Sequence, residues 1–162
     1  MEMKAQSETT HAIPVQLLVE LENGVAALYD RFAEQYPEDR SFWIELRNEE
    51  MEHADVLNEF EKSHFGFENQ ASIASDISQE VAEMMVSKVR NLMADMHKQS
   101  PSRKEALWLA LQLEQSAGEF HYRAISGVLN GAAGRPPALW KDDFDHAARI
   151  RSYIERMTKI FN

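Results

Sequence analysis

Along most of the chain, apolar residues recur in alternating steps of three and four, the spacing that lines one face of an α-helix. The first stripe reads Val15, Leu18, Glu22, Val25, Tyr29, Phe32, Tyr36 and predicts a helix from near Ala12 to Tyr36, with Pro14 accommodated in its opening turn. Pro37 stops that helix and helps to start the next. The second stripe, Trp43, Leu46, Glu50, His53, Leu57, Phe60, His64, predicts a helix over roughly Glu38 to His64, with Gly66 as its stop. Phe67 to Ser75 reads as a loop. Asp76 with Gln79 makes a capping box that opens a helix to about Lys98. Its apolar face is Ile77, Val81, Met84 or Met85, Leu92 and Met96. After the break at Gln99-Ser100-Pro101, a fourth helix is expected from near Pro101 to Asn130, ending at Gly131. Its stripe is Leu107, Leu111, Glu114, Ala117 or Gly118, His121, Ile125, Val128. A last helix to about Phe161 carries Leu139, Asp143, His146, Ile150, Tyr153, Met157 and Ile160 on the same rhythm. No segment shows the period-two alternation of a strand.

The short connections at residues 36–38 and 131–137 imply two antiparallel hairpins, and the stretch between them is long enough to cross from one end of a bundle to the other. The expected fold is all-α: a four-helix bundle made of two hairpins with a long, partly helical crossover. It forms one domain over residues 12–162, behind a polar lead-in at 1–11.

The stripes are not wholly apolar. Glu22, Glu50, Glu114 and Asp143 occupy core positions of their helices, and so do His53, His121 and His146. A carboxylate in a dry core costs several kilocalories per mole unless something compensates it, and four together repel one another. No matching set of lysines or arginines lies on these stripes. Two divalent cations would balance the four charges. The two pairs Glu50-x-x-His53 and Asp143-x-x-His146 each bring a carboxylate and an imidazole to one helix face. Glu22 precedes Glu50 by 28 residues and Glu114 precedes Asp143 by 29, as in a molecule of two similar halves. Glu22, Glu50, His53, Glu114, Asp143 and His146 are therefore the expected metal ligands. Mixed carboxylate and imidazole ligation suits iron or manganese, with zinc possible by ligand type. Di-iron and di-manganese bundles use one Glu from each of two helices and Glu-x-x-His from each of the other two.

Other residues draw plainer readings. Glu49 and Glu52 flank the motif and point away from the stripe, towards solvent. His64 and His97 fall near helix ends, the methionines of the crossover helix suit core or subunit contacts, and Trp43, Trp108 and Trp140 pack between helices. A net charge of −10 argues against nucleic acid or an anionic membrane as partner. There is no cysteine, hence no disulfide and no thiolate metal site. No apolar run approaches the ~20 residues of a membrane span, and the polar N-terminus lacks the core of a secretory signal, so the cytoplasm is the expected location. A homodimer is the expected assembly, since twofold oligomers dominate.

Taken together, the residues resemble the ferritin-like superfamily, most closely its rubrerythrin-like branch. Glu49-Glu50-Met51-Glu52-His53-Ala54 resembles the second-helix signature of that group, and Glu22 followed by Tyr29 and Phe32-Ala33 its first helix. Glu114 with Phe120-His121-Tyr122 is similar to its third, and Asp143-x-x-His146 to its fourth in altered form. The chain departs from the family in its lack of cysteines for a rubredoxin-like iron site, in Ala117 where rubrerythrins carry an extra glutamate, and in Asp143 in place of glutamate.

The resemblance implies a rubrerythrin-like di-iron oxidoreductase that reduces peroxide or dioxygen, or oxidises ferrous iron, with a separate electron donor. Glu50 and Asp143 would bridge the irons, Glu22 and Glu114 would be terminal, and His53 and His146 would bind one metal each. Tyr29, two turns from Glu22, can hydrogen-bond a ligand of the other hairpin or donate an electron, the plainer alternative being a core tyrosine with a satisfied hydroxyl. His121 and Tyr122 are assigned hydrogen-bonding roles behind the ligands. The alternatives are a non-catalytic iron- or manganese-binding protein, or a bundle without metal that serves as an interaction module.

Overall fold

The computed structural model describes residues 11–65, 72–75, 78–116 and 146–160. Helices dominate them: α1 (Val15–Gln35), α2 (Arg40–Phe65), α3 (Gln79–Met96), α4 (residues 103–116) and α5 (His146–Ile160). A single 3-10 turn, Pro37–Asp39, joins α1 to α2. Two short strands, β1 (His11–Pro14) and β2 (Ser72–Ser75), pair antiparallel with Ile13 opposite Ile73.

The strands correct the sequence reading, which expects helix from Ala12 and a loop through Ser75. Pro14 sits at the N-cap of α1 with φ −58° and ψ 129°. The residue before a proline is pushed out of the α region, so Ile13 stays extended and helix begins only at Val15. A four-residue strand whose partner lies beyond two helices leaves no local alternation to read. Ile13 is fully buried and packs with Val15, Leu18, Ala54, Leu57 and Ala82, closing one end of the α1–α2 pair.

The stripe of α1 is buried throughout, from Val15 to Tyr36. In α2 the buried stripe residues are Trp43, Leu46, Glu50 and Leu57, and α2 opens at Arg40 because Pro37 first starts the 3-10 turn. Gln16 meets Asn58, Glu22 meets His53 and Asp30 meets Arg47, so α1 and α2 run antiparallel. Tyr29 bonds Glu114 and Tyr36 bonds the carbonyl of Pro101, which sets α4 antiparallel to α1. Glu49 meets His146, Glu45 meets Arg149, and the Phe42 and Tyr153 rings stack at 4.0 Å, which sets α5 antiparallel to α2. α3 lies against α1, where Gly24 allows close approach: a Cβ there would meet Val89 Cγ1 at 3.2 Å.

Two packing expectations need correction. α3 is capped by Ser78, whose hydroxyl accepts from the Val81 N–H at 3.4 Å, and it buries Ala82, Met85, Val86, Val89 and Met96. Val81 (36 % exposed) and Met84 (64 %) face outward. Apolar residues lie on both sides of this helix, so the sequence leaves its inward face open; Val89 fits against Gly24 of α1, and Ala82 packs in the cluster around Ile13. Trp108 is 46 % exposed rather than packed between helices, because Leu107 and Leu111 take the inward face of α4. Trp43 does fill the core, with its ring 5.0 Å from Phe32 and 5.7 Å from Tyr29. The predicted cap residue Asp76, the segment 117–130 with Ala117, His121 and Tyr122, the Gly131–Pro137 connection, and Leu139, Trp140 and Asp143 lie outside the described residues.

Fully buried Asp39 ties the far end together. It accepts from Arg103 Nε at 2.5 Å and from Tyr153 Oη at 2.6 Å, so one carboxylate joins the α1–α2 turn to α4 and α5. Burial pushes the Tyr153 hydroxyl up to about 12, and the bond to Asp39 adds to the shift. Removing one partner of a buried charge pair strands the other. Asp39→Ala should therefore cost roughly 3 kcal/mol, the low end of the range for broken buried pairs because Arg103 keeps some solvent. Urea unfolding of the variant checks this, and an unchanged midpoint would remove Asp39 from the set of residues that hold the helices together.

Candidate metal centre

Each polar residue of the centre is carried inward by apolar neighbours on its own helix. Leu18 and Val25 flank Glu22 on α1, Leu46 and Leu57 flank Glu50 and His53 on α2, Leu107 and Leu111 precede Glu114 on α4, and Ile150 follows His146 on α5. Burying those neighbours drags the carboxylates with them: Glu22 is 2 % exposed, Glu50 4 % and Glu114 6 %, while His146 is 5 % exposed. His53 is partly covered, its side chain 16 % exposed.

These five side chains converge from four helices into two groups of three. Glu22, Glu50 and His53 form one, and Glu50, Glu114 and His146 the other, each with its candidate ligand atoms within 4.8 Å of one another. Each group could hold a metal ion. Glu50 belongs to both, and its two oxygens face different ways. Oε2 lies 3.3 Å from His53 Nδ1, and Oε1 lies 2.9 Å from His146 Nδ1. The outer carboxylates complete the sets, Glu22 Oε2 at 3.8 Å from His53 Nδ1 and Glu114 Oε2 at 3.6 Å from His146 Nδ1. The two imidazoles face each other with ring centres 5.7 Å apart and planes inclined by 27°.

No family model, curated protein or solved structure matches this chain. The centre is read from its own chemistry. Carboxylate oxygens with imidazole nitrogens, and no sulfur, are a donor set that accepts iron, manganese or zinc. One carboxylate offering an oxygen to each group is the arrangement a shared ligand needs.

The structure brings together five of the six expected ligands; Asp143 lies outside the described residues, as do His121 and Tyr122. Tyr29, fully buried, donates its hydroxyl to Glu114 Oε1, so it holds a candidate ligand on another helix. Glu52 is exposed as expected, whereas Glu49 is not simply solvated. The Glu49 side chain is 16 % exposed; its Oε2 lies 2.6 Å from His146 Nε2, and Arg149 Nη1 donates to its Oε1 at 2.7 Å. Glu49 precedes Glu50 by one residue, about 100° of helix turn, which aims it at the neighbouring helix rather than at water. The signal in the sequence was Arg149, three residues after His146, with Glu45 and Glu49 one turn apart to receive it.

The charges in this centre shift one another. Burial and repulsion from Glu22 and Glu114 push the Glu50 carboxyl up to about 7. Burial works against a charged His53, but its bonds to Glu22 and Glu50 outweigh that and raise it to about 10. His146 is raised in the same way, with Glu114, Glu49 and Glu50 prevailing over burial. Burial, then the charge of Glu114, lifts the Tyr29 hydroxyl well above its usual value, so it stays a donor. Glu49 goes the other way: burial would raise it, but His146 and Arg149 lower it.

A group that binds its proton more tightly when folded stabilises the fold fully below its unfolded pKa, and loses that contribution as pH climbs through the folded value. Glu50 loses its contribution between its usual 4.5 and about 7, and His53 between 6.5 and about 10. Glu49 has the opposite sign and loses its contribution in acid below 4.5. The metal-free protein should thus be most stable in mild acid, and its melting temperature should fall as pH rises from about 6 to about 10. Melts in chelator check the trend, and His53→Gln should flatten its upper half. A melting temperature that climbs over this range would contradict the assignment.

Proposed function

We propose that this protein is a rubrerythrin-like di-iron oxidoreductase that reduces peroxide or dioxygen, or oxidises ferrous iron. The observation that carries the reading is Glu50, buried between two ligand groups with one oxygen turned towards each histidine. Glu22 and His53 would hold one ion, Glu114 and His146 the other, and Glu50 would bridge them, with Asp143 as a second bridge. The bundle around them would be ferritin-like, its two hairpins joined by the crossover that contains α3. Iron held by these residues would supply electrons to the oxidant, or would itself be the substrate that is oxidised.

The chain's own residues do the rest. Core side chains around Glu22, Glu50 and Glu114 keep bulk water away from the centre, which strengthens every charge interaction inside. Tyr29 fixes the rotamer of Glu114 through its hydroxyl and remains protonated while doing so. His53 and His146 hold protons against the carboxylates until a cation replaces them, so metal uptake near neutral pH releases protons and tightens as pH rises. With no cysteine in the chain, electrons would come from a separate donor.

Purified from iron-supplemented cells, or loaded anaerobically with ferrous ion, the protein should take up two irons per chain. Glu50→Ala should lose both, because both groups share that residue, while Glu52→Ala, at an exposed position, should keep both. Added peroxide should then give the absorbance of an oxo-bridged ferric product faster than the same iron does free in solution. A wild-type chain that binds no transition metal would end the proposal. Loaded protein that oxidises no faster than free iron would reduce it to a metal-binding protein without turnover.

A further inference from the structure

A groove of about 650 Å³ runs between the last turns of α3 and the first turns of α4, with the connection at residues 98–101 lining one end. That end is anchored from α1, since the Pro101 carbonyl accepts from Tyr36 Oη and from Gln35 Nε2, the latter at 3.3 Å. Leu92 and Met96 of α3 and Leu109 of α4 give the groove apolar walls. Trp108 lines it too, its ring half exposed although an indole has a large apolar surface to bury. A concave site of this size, apolar with a few polar groups converging on it, is the form that small-molecule sites take.

Lys104, Trp108 and Gln112 follow one another at intervals of four residues on α4, so they share one face, and all three line the groove. Among the described residues, none of these side chains has a hydrogen-bond, ion-pair or ring partner. The other charges of the groove are already engaged. Lys98 meets Asp95 at 3.0 Å, and Glu105 accepts from the Ser102 N–H at 2.7 Å. The groove therefore offers a free ammonium, a free indole N–H and a free amide beside an exposed aromatic ring. In a chain of net charge −10, a free cation set in a concavity favours an anion there. One such cation, rather than a cluster, suits a carboxylate better than a doubly charged phosphate.

We propose that this groove binds a small planar aromatic carboxylate, its ring laid against Trp108 and its anionic group held by Lys104. The two recognising side chains are one helical turn apart, so a single flat ligand reaches both. Met96, on the opposite wall, suits the ligand's ring edge, where a thioether packs favourably. Gln112, a turn beyond Trp108, can donate to or accept from a polar substituent at the far end of the ring. The site shares α4 with the metal centre but none of its candidate ligands, so it stands whether or not a metal binds.

Naphthoate and its neutral counterpart naphthamide are the probes, titrated into the full chain and followed by calorimetry and by the indole N–H resonances of 15N-labelled protein. Naphthoate should saturate one site per chain, and the indole resonance that is missing from Trp108→Leu should be the one that shifts. Trp108→Leu should weaken naphthoate by about tenfold, the size of a lost aromatic pair with its buried area. The wild type should prefer naphthoate to naphthamide by about threefold, as an exposed charge pair provides, and Lys104→Gln should bind the two equally. Both substituted positions are exposed, so both variants should keep the wild-type melting temperature. The proposal is overturned by a wild type that shows no saturable binding at millimolar naphthoate, by unchanged affinity in Trp108→Leu, or by a preference for the acid that survives in Lys104→Gln. Self-association of wild-type chains that Trp108→Leu abolishes would assign the groove to a second copy and overturn it as well.

Discussion

Three carboxylates, Glu22, Glu50 and Glu114, are held within a seam of aliphatic and aromatic side chains. This is the constraint on which the rest of the molecule turns. Buried anions are tolerated only where opposite charge or strong donors meet them. Here the imidazoles of His53 and His146 stand in that position, inserted between the carboxylates. They are the charge-balancing groups of the protein as it stands, and they would become neutral nitrogen donors if a cation took over that task. One set of side chains could thus serve two charge states, with a proton exchanged for a metal ion.

The remainder of the fold can be understood as a frame that keeps five side chains from escaping to water. At one end the β1–β2 ribbon and the cluster around Ile13 cover the α1–α2 pair. At the other, Asp39 gathers Arg103 and Tyr153, so the turn between the first two helices also anchors α4 and α5. Between the Asp39 end and the centre lies an aromatic block in which Trp43 contacts Phe32, Tyr29 and Phe42. Tyr29 belongs to both regions: its ring packs on Trp43 and its hydroxyl holds Glu114. Rigid packing on one side of that residue is what allows it to orient a buried carboxylate on the other.

The two ligand groups are built differently although they share Glu50. Glu22, Glu50 and His53 come from a single hairpin, α1 with α2, whose short connection fixes their register. Glu50, Glu114 and His146 come from three helices, and their meeting depends on how α4 and α5 dock. In the second group Tyr29 bonds Glu114, and Glu49, held by Arg149, meets His146. A group assembled from distant parts of the chain needs such outer contacts to set its side-chain rotamers.

Periodicity is also what makes the centre legible in the sequence. The α1 stripe is buried in full, and Glu22, Glu50, Glu114 and His146 lie inside because a helix cannot bury the leucines around them without burying them too. Other features are not written locally. The strand at His11–Pro14 exists because of a partner beyond two helices, and the inward face of α3 was chosen among apolar residues on several sides by the fit of Ala82 and Val89 near α1. Whether Glu49 met water or His146 depended on where α5 lay against α2, which no spacing within α2 can state. The amino-acid sequence alone determined the helices and which of their faces carry charge into the core, since both follow from residues a turn apart. Tertiary structure decided which helices meet, which atom of each ligand faces which partner, and what stands behind His146, since those depend on contacts between segments far apart in the chain.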